Sequence, residues 1–293
     1  MRIRIVDAFT DKPFSGAPAG VLLLDAFPSD DWMQRVAAEV NHAETAFLHP
    51  LPEGGDADWA LRWFTPAVEV ALCGHATLAA AHVLNPAAPI RFATRSGVLR
   101  ASVDDGLITL DFPTAPLTRV STDPALAAAL GVGSRGIVAA GIEAVGVEGL
   151  GVESRGGAIL AVHHTGPDTD DLLVEVADEQ TVRTIVPDLR ALIPLSGRGV
   201  IVTAVADPGA GHDFVSRFFG PAVGVDEDPV TGSAHTALAP YWSARLGRTD
   251  LTGYQASPRG GYVQVSLRGE RTLLRGRAVT VIDGELLAPV GEP

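Results

Sequence analysis

Seven polar residues at three places in the chain have the types and spacing for proton transfer. Glu44 lies in Asn41-His42-Ala43-Glu44-Thr45-Ala46-Phe47; Cys73 and His75 flank Gly74; Asp228, Thr231, Ser233 and His235 surround Gly232. A carboxyl among apolar neighbours is partly desolvated, which raises its pKa and suits it to moving protons. Imidazole gives and takes protons near neutral pH. A thiol at a helix start ionises more readily and can serve as base or nucleophile. Each also has a plainer reading. A lone cysteine on an apolar segment is ordinarily a small buried hydrophobe. Asp226, Glu227 and Asp228 precede a helix, where the dipole favours acids regardless of function. Asp228 is set apart by Pro229, which holds it extended. Glu44, read by itself, is ordinarily an exposed edge residue without a role.

Other chemical motifs fail on context. Gly131-Val132-Gly133-Ser134-Arg135-Gly136 matches the dinucleotide fingerprint but follows the helical Ala127-Ala128-Ala129-Leu130 instead of a strand. His163 and His164 are adjacent and point to opposite faces of a strand. His82 shares a helix face with His75, but nothing supplies a third ligand, and no zinc spacing appears. There is no G-x-S-x-G elbow. The expectation is therefore no metal.

The elements that must position these groups are mostly short strands. Arg2 to Ala8, Arg62-Trp63-Phe64, Val98 to Val103, Leu107 to Phe112, Val200 to Ala206, Tyr262 to Leu267 and Ala278 to Ile282 carry strand patterns. Asp104-Asp105-Gly106 and Asp283-Gly284 predict hairpin turns. Helices are predicted from Ser29 through Glu39, from about His75 to Leu84, and from about Ser233 to Leu246. Pro124 to Leu130 and Val182 to Leu189 predict shorter ones. Strands outnumber helices without βαβ alternation, which points to a mixed α+β fold.

The chain also repeats itself. Residues 62–70 read Arg-Trp-Phe-Thr-Pro-Ala-Val-Glu-Val, and residues 217–225 read Arg-Phe-Phe-Gly-Pro-Ala-Val-Gly-Val, with six of nine positions identical. Both lead to a glycine turn and an apolar helix, at Cys73-Gly74-His75-Ala76 and Thr231-Gly232-Ser233-Ala234. This reads as a duplication with a pseudo-two-fold relation. Helices apolar nearly all round are buried. Two such helix starts facing each other would hold a small anion, most simply a carboxylate, on their free N–H groups.

Composition sets the outer limits. Formal net charge is −13, and Lys12 is the only lysine. So acidic a chain lacks the clustered cations that nucleic acids and anionic membranes require. Hydrophobic residues make up 46% of the chain, enough for a sizeable core. No run approaches the roughly 18 apolar residues of a membrane span. Cys73 is the only cysteine, so no internal disulfide forms, and the charged N-terminus lacks a signal-peptide pattern. The expectation is a cytoplasmic protein.

At these residues the chain resembles the phenazine-biosynthesis PhzF-like proteins, related in fold to diaminopimelate epimerase and proline racemase. The stretches that carry the resemblance are Asp7-Ala8-Phe9-Thr10, Phe14-Ser15-Gly16, Glu44-Thr45-Ala46-Phe47, Phe64-Thr65-Pro66, Cys73-Gly74-His75-Ala76-Thr77 and Glu227 through Ala234. The tail from Gly253 to Val281 resembles the uncharacterised branch of that family. The resemblance implies two pseudo-symmetric domains, each a curved, mostly antiparallel sheet or barrel around a central helix. The expected division is 1–115 and 116–276, with the last strand, about 277–293, packing back on the first half. It implies a homodimer and a cofactor-free isomerase acting on a small carboxylic acid in the interdomain cleft. Glu44 would be the general acid/base, assisted by His75, Asp228 and Ser233. Cys73, Gly74, Ala76, Thr231, Gly232 and Ala234 would surround the substrate.

The chain departs from its relatives in places. The epimerases and racemases oppose two cysteines, whereas here Cys73 faces Thr231, whose hydroxyl is too weak an acid to replace a thiol without an activating base. Ala76 stands where phenazine-making members typically carry proline, and Ala17 where many carry asparagine. Two alternatives stand beside the isomerase. One is an epimerase using Cys73 with Glu44; the other is a non-catalytic small-molecule or protein binder of the same fold.

Overall fold

The computed structural model describes residues 1–133 and 158–289. The first half of the chain forms β1 (Arg2–Ala8), β2 (Ala17–Leu23), α1 (Asp30–Val40), β3 (Glu44–Pro50), β4 (Trp59–Phe64), β5 (Glu69–Val70), α2 (Gly74–Leu84), β6 (Ile90–Thr94), β7 (Gly97–Asp104) and β8 (Leu107–Pro113). The second half forms β9 (Thr118–Val120), α3 (Pro124–Leu130), β10 (Ile159–His164), β11 (Asp171–Val176), α4 (Glu179–Thr184), α5 (Leu189–Leu192), β12 (Gly199–Val205), β13 (Phe214–Gly220) and β14 (Val225–Asp228). It continues with α6 (Gly232–Leu246), β15 (Asp250–Gln255), β16 (Gly261–Arg268), β17 (Arg271–Gly276) and β18 (Ala278–Glu285).

The two halves pair their strands by one scheme. In the first, β18–β1–β2 are antiparallel, β2–β3 parallel, β3–β4 antiparallel, β4–β6 parallel, and β6–β7–β8 antiparallel. In the second, β9–β10–β11 are antiparallel, β11–β12 parallel, β12–β13 antiparallel, β13–β15 parallel, and β15–β16–β17 antiparallel. β8 pairs with β17 and joins the two into one 18-stranded sheet. The repeat seen at residues 62–70 and 217–225 thus extends to the whole pairing scheme. Its conserved arginines do the same job in each half: Arg62 forks onto Glu69 at 2.8 and 2.7 Å, and Arg217 onto Glu227 at 2.7 and 2.8 Å.

The core lies around the two apolar helices. Gly74 through Ala81 of α2 are all buried, as are Gly232 through Ala239 of α6. α2 packs on β1, β2, β3, β7, β8 and β18, and α6 on β11, β15, β16 and β17. Leu78 and Leu238 meet the inner strand residues in one shared hydrophobic cluster. The amphipathic α1 covers the outside of the first half with Met33, Val36 and Ala37. Leu126, Val182 and Leu192 of α3, α4 and α5 cover the outside of the second. No described helix is long and apolar enough to cross a membrane.

Local turn signals held where nothing competed with them. Asp105 and Gly106 take φ of 45° and 70° between β7 and β8, as a two-residue hairpin with both central residues left-handed requires. Asp283-Gly284, expected as a turn, instead lies inside β18: Asp283 pairs with Arg4 and Gly284 with Ile3. Arg2 and Arg4 both bind the Asp283 carboxylate, so long-range pairing with β1 overrides the local turn preference. The single helix expected at Val182–Leu189 is two helices, α4 and α5, because Pro187 ends any helix at its predecessor. Gly131 caps the C-terminus of α3 at φ 66°, the opposite of a nucleotide-binding helix start; Ser134–Gly136 of that motif lie outside the described residues.

Candidate active site

The starts of α2 and α6 meet backbone to backbone. A Cβ on Gly74 would sit 2.6 Å from the Gly232 Cα, and one on Gly232 would sit 2.7 Å from the Gly74 Cα. Only glycine allows that approach. Neither N-cap residue, Cys73 or Thr231, caps its helix with its side chain. Both positive helix ends therefore face one cavity of about 280 Å³, lined among others by Glu44, Cys73, His75, Arg198, Asp228 and Ser233.

Glu44 reaches this cavity because Asn41 ends α1 in the left-handed conformation, at φ 51°, and β3 starts at Glu44 opposite Ala19. Its side chain is 15% exposed, and Oε2 lies 3.1 Å from His75 Nε2. The other ring nitrogen of His75, Nδ1, lies 3.7 Å from Cys73 Sγ. Burial works against a charge on His75, yet Cys73 and Glu44 outweigh it and hold the imidazole well above its ordinary pKa. Burial pushes the Cys73 thiol up to about 11, and the Glu44 carboxylate adds to that. The thiol is thus uncharged at neutral pH, with Glu44 on the other side of the ring. These three groups bring ligand atoms within 4.8 Å of one another. The imidazole lies between the other two with one nitrogen toward each.

Asp228 is buried on the opposite wall. Thr231 Oγ1 donates to its Oδ2 at 2.7 Å, while its buried Oδ1 has no partner among the described residues. Burial raises the Asp228 carboxyl; His75 and Arg198 offset part of this, and Glu44 adds to it. Gln255 locks the corner, accepting from the Thr231 amide at 2.9 Å and donating to the Asp228 carbonyl at 2.7 Å. Ser233 accepts a hydrogen bond from Arg198 Nη1 at 2.8 Å. A guanidinium only donates, so the Ser233 hydroxyl hydrogen is free for another acceptor.

The two halves put different chemistry at equivalent positions. In the β11–β12 ladder Gly199 stands opposite Asp171, as Glu44 stands opposite Ala19 in β2–β3. A Cβ on Gly199 would lie 2.4 Å from the Phe218 ring, so no base fits there. Thr231 answers Cys73, and Ser233 answers His75. The first half supplies a carboxyl, a thiol and an imidazole; the second supplies hydroxyls, a buried carboxyl and a guanidinium.

Of the residues expected at the site, Glu44, Cys73, Gly74, His75, Asp228, Thr231, Gly232 and Ser233 line this cavity. Ala76 and Ala234 do not; their side chains belong to the hydrophobic core. His235 turns away, its Nδ1 2.8 Å from the Thr231 carbonyl and its ring beside Phe214, and burial lowers its pKa to about 4. Arg198, Asp171 and Gln255 escaped sequence reasoning. One signal existed: the 155-residue repeat carried from Glu44 lands on Gly199, next to Arg198.

Arg198 forks onto the fully buried Asp171, with Nε at 2.8 Å from Oδ1. Arg198→Met is expected to destabilise the protein by about 3–5 kcal/mol by stranding that carboxylate. Denaturant unfolding checks this, with Arg198→Met/Asp171→Leu expected to recover most of the loss.

The family description "Phenazine biosynthesis-like protein" (PhzC-PhzF) matches residues 6–284. The chain belongs to the PhzC-PhzF family. It is 46% identical over 286 residues to an uncharacterized isomerase of Pseudomonas aeruginosa, covering 96% of each chain. The crystal structure of a PhzF-family protein of Enterococcus faecalis matches with a TM-score of 0.82 at 38% identity, over 98% of this chain and 99% of that one. A hydroxyproline epimerase of Agrobacterium vitis matches with a TM-score of 0.58 at 13% identity, over 97% and 91% of the two chains, which shows the shared fold. The PhzF architecture, an α+β fold of the diaminopimelate epimerase and proline racemase kind, is the one expected from the sequence.

Proposed function

We propose that this PhzF-family isomerase moves a proton between two carbons of a small carboxylic acid, with Glu44 as general acid/base. The observation that carries the reading is the Glu44–His75 pair, 3.1 Å apart, on a cavity that two helix N-termini close. Free amides of both helix starts would hold the substrate carboxylate. The Glu44 carboxylate would remove a proton from the neighbouring carbon. The electron pair would shift along the adjacent double bond, its charge stabilised by the helix ends and the Ser233 hydroxyl. Protonated Glu44, or His75, would return the proton to the new carbon, so nothing is gained or lost. A buried, protonated Asp228 would donate a hydrogen bond to the substrate, as a carboxylic acid kept neutral can. The cavity would lie between two domains, 1–115 with the last strand and 116–276, in a homodimer; light scattering reads the oligomeric state.

One observation favours a second reading. His75 Nδ1 lies within reach of the Cys73 sulfur, so an epimerase could use Cys73 with Glu44 as unlike bases. The thiol's raised pKa and the hydroxyl of Thr231 opposite it weigh against this. Cys73→Ser separates the two. The isomerase is expected to keep kcat within about threefold, because the thiol takes no part in its chemistry, whereas an epimerase loses about 10²-fold or more with its base.

A further inference from the structure

A second cavity, of about 360 Å³, shares no lining residue with the first. Its walls carry Lys12, Arg259, Arg275 and Arg277, with Asp11 as the only carboxylate. In a chain of net charge −13 such a concentration of cations is unusual. Elsewhere the arginines are mostly tied to carboxylates, as Arg2, Arg62, Arg91 and Arg217 are. Here only Arg259 is. Arg275 Nη1 donates to Ser266 Oγ at 2.7 Å and Arg277 Nη1 to the Asp105 carbonyl at 2.7 Å, and neither has a carboxylate partner among the described residues. Lys12 has none either.

The frame around these cations is built. Arg259 binds the buried Asp7 at 2.7 Å and the Gly16 carbonyl at 2.8 Å. Asp7 in turn accepts from the Phe14 amide at 2.7 Å. Phe9 and Phe14 hold φ of 60° and 67°, conformations that persist only where the surroundings impose them. The loop that carries Lys12 is thus held in place from inside. Tyr254 and Tyr262, with ring centroids 4.8 Å apart, form an adjoining wall.

We propose that this cavity binds a small, multiply charged oxyanion, a phosphate or polycarboxylate, through Lys12, Arg275 and Arg277. Several cations converging on one concave site match an anion that carries more than one charge. The site is separate from the proposed chemistry at Glu44 and stands or falls independently of it.

Because Lys12 is the only lysine, it is its own reporter. Reductive methylation with ¹³C-formaldehyde labels Lys12 and the N-terminal amine and keeps both charges. The Lys12 signal is followed by NMR during titration with inorganic phosphate, pyrophosphate, citrate and acetate at constant ionic strength. A saturable one-to-one shift is expected, with pyrophosphate or citrate binding about tenfold or more tighter than acetate. Which of the two binds better separates phosphate from polycarboxylate ligands. Arg275→Gln/Arg277→Gln is expected to weaken binding about tenfold or more, with thermal unfolding run to show that the variant is folded. A linear shift common to all four anions, or binding unchanged in the double variant, overturns the proposal.

Discussion

Glu44→Gln is expected to lower kcat for carbon proton transfer by about 10²–10⁴-fold while leaving fold and ligand affinity near wild type. Glutamine keeps the shape of the side chain and removes the proton acceptor. No neighbour can take over. His75 turns one ring nitrogen toward the side chain at position 44 and the other toward Cys73, so neither is placed to take the first proton. The Cys73 thiol, at about 11, is not ionised at neutral pH. Asp228 is pushed toward its neutral form by burial. Steady-state kinetics beside a ligand titration read the two effects separately, and a loss under about tenfold would mean that another group is the base.

The same variant has a pH signature. The pKa of His75 in the folded protein lies above its ordinary value. Its contribution to stability is therefore fully present below about pH 6.5 and is lost as pH rises through the folded value. The difference in melting temperature between wild type and Glu44→Gln is expected to be larger near pH 6 than near pH 10.

Gly74→Ala is expected to damage both stability and function. Its Cβ would lie 2.6 Å from the Gly232 Cα, and both are backbone, so no flexible side chain can give way. Forcing the two helix starts apart costs about 1–3 kcal/mol or more. It also misplaces the amides that would receive the substrate carboxylate, and a shift on the order of 1 Å there costs about 10²-fold in kcat/KM. Gly55→Ala serves as control, since its nearest contact would be an ordinary 3.7 Å. Thermal unfolding and kcat/KM of the two variants check this together. An unperturbed Gly74→Ala would contradict the contact between the helix starts.

The site was legible in the sequence where its geometry is local. Cys73, Gly74 and His75 are consecutive on one turn, and Thr231, Gly232 and Ser233 on its duplicate, so the repeat showed that the two turns correspond. Arg198 was not legible, because it enters the cavity only once β11 and β12 pair and Asp171 fixes its guanidinium. Ala76 and Ala234 keep their side chains in the core, since the third position of each helix start turns inward. In the fold, Asp283-Gly284 shows the same limit. A two-residue turn signal lost to a partner strand 281 residues away in the chain. Pro187, by contrast, separates α4 from α5 by local sterics alone.

The measurement that tests the central claim most directly is NMR of purified protein in D₂O with a panel of dihydroaromatic and amino carboxylic acids. The protein is expected to yield a rearranged product, or deuterium bonded to carbon, from one class of these acids, and Glu44→Gln is expected to yield neither. Rearrangement or labelling that continues undiminished in Glu44→Gln would contradict Glu44 as the group that moves the proton.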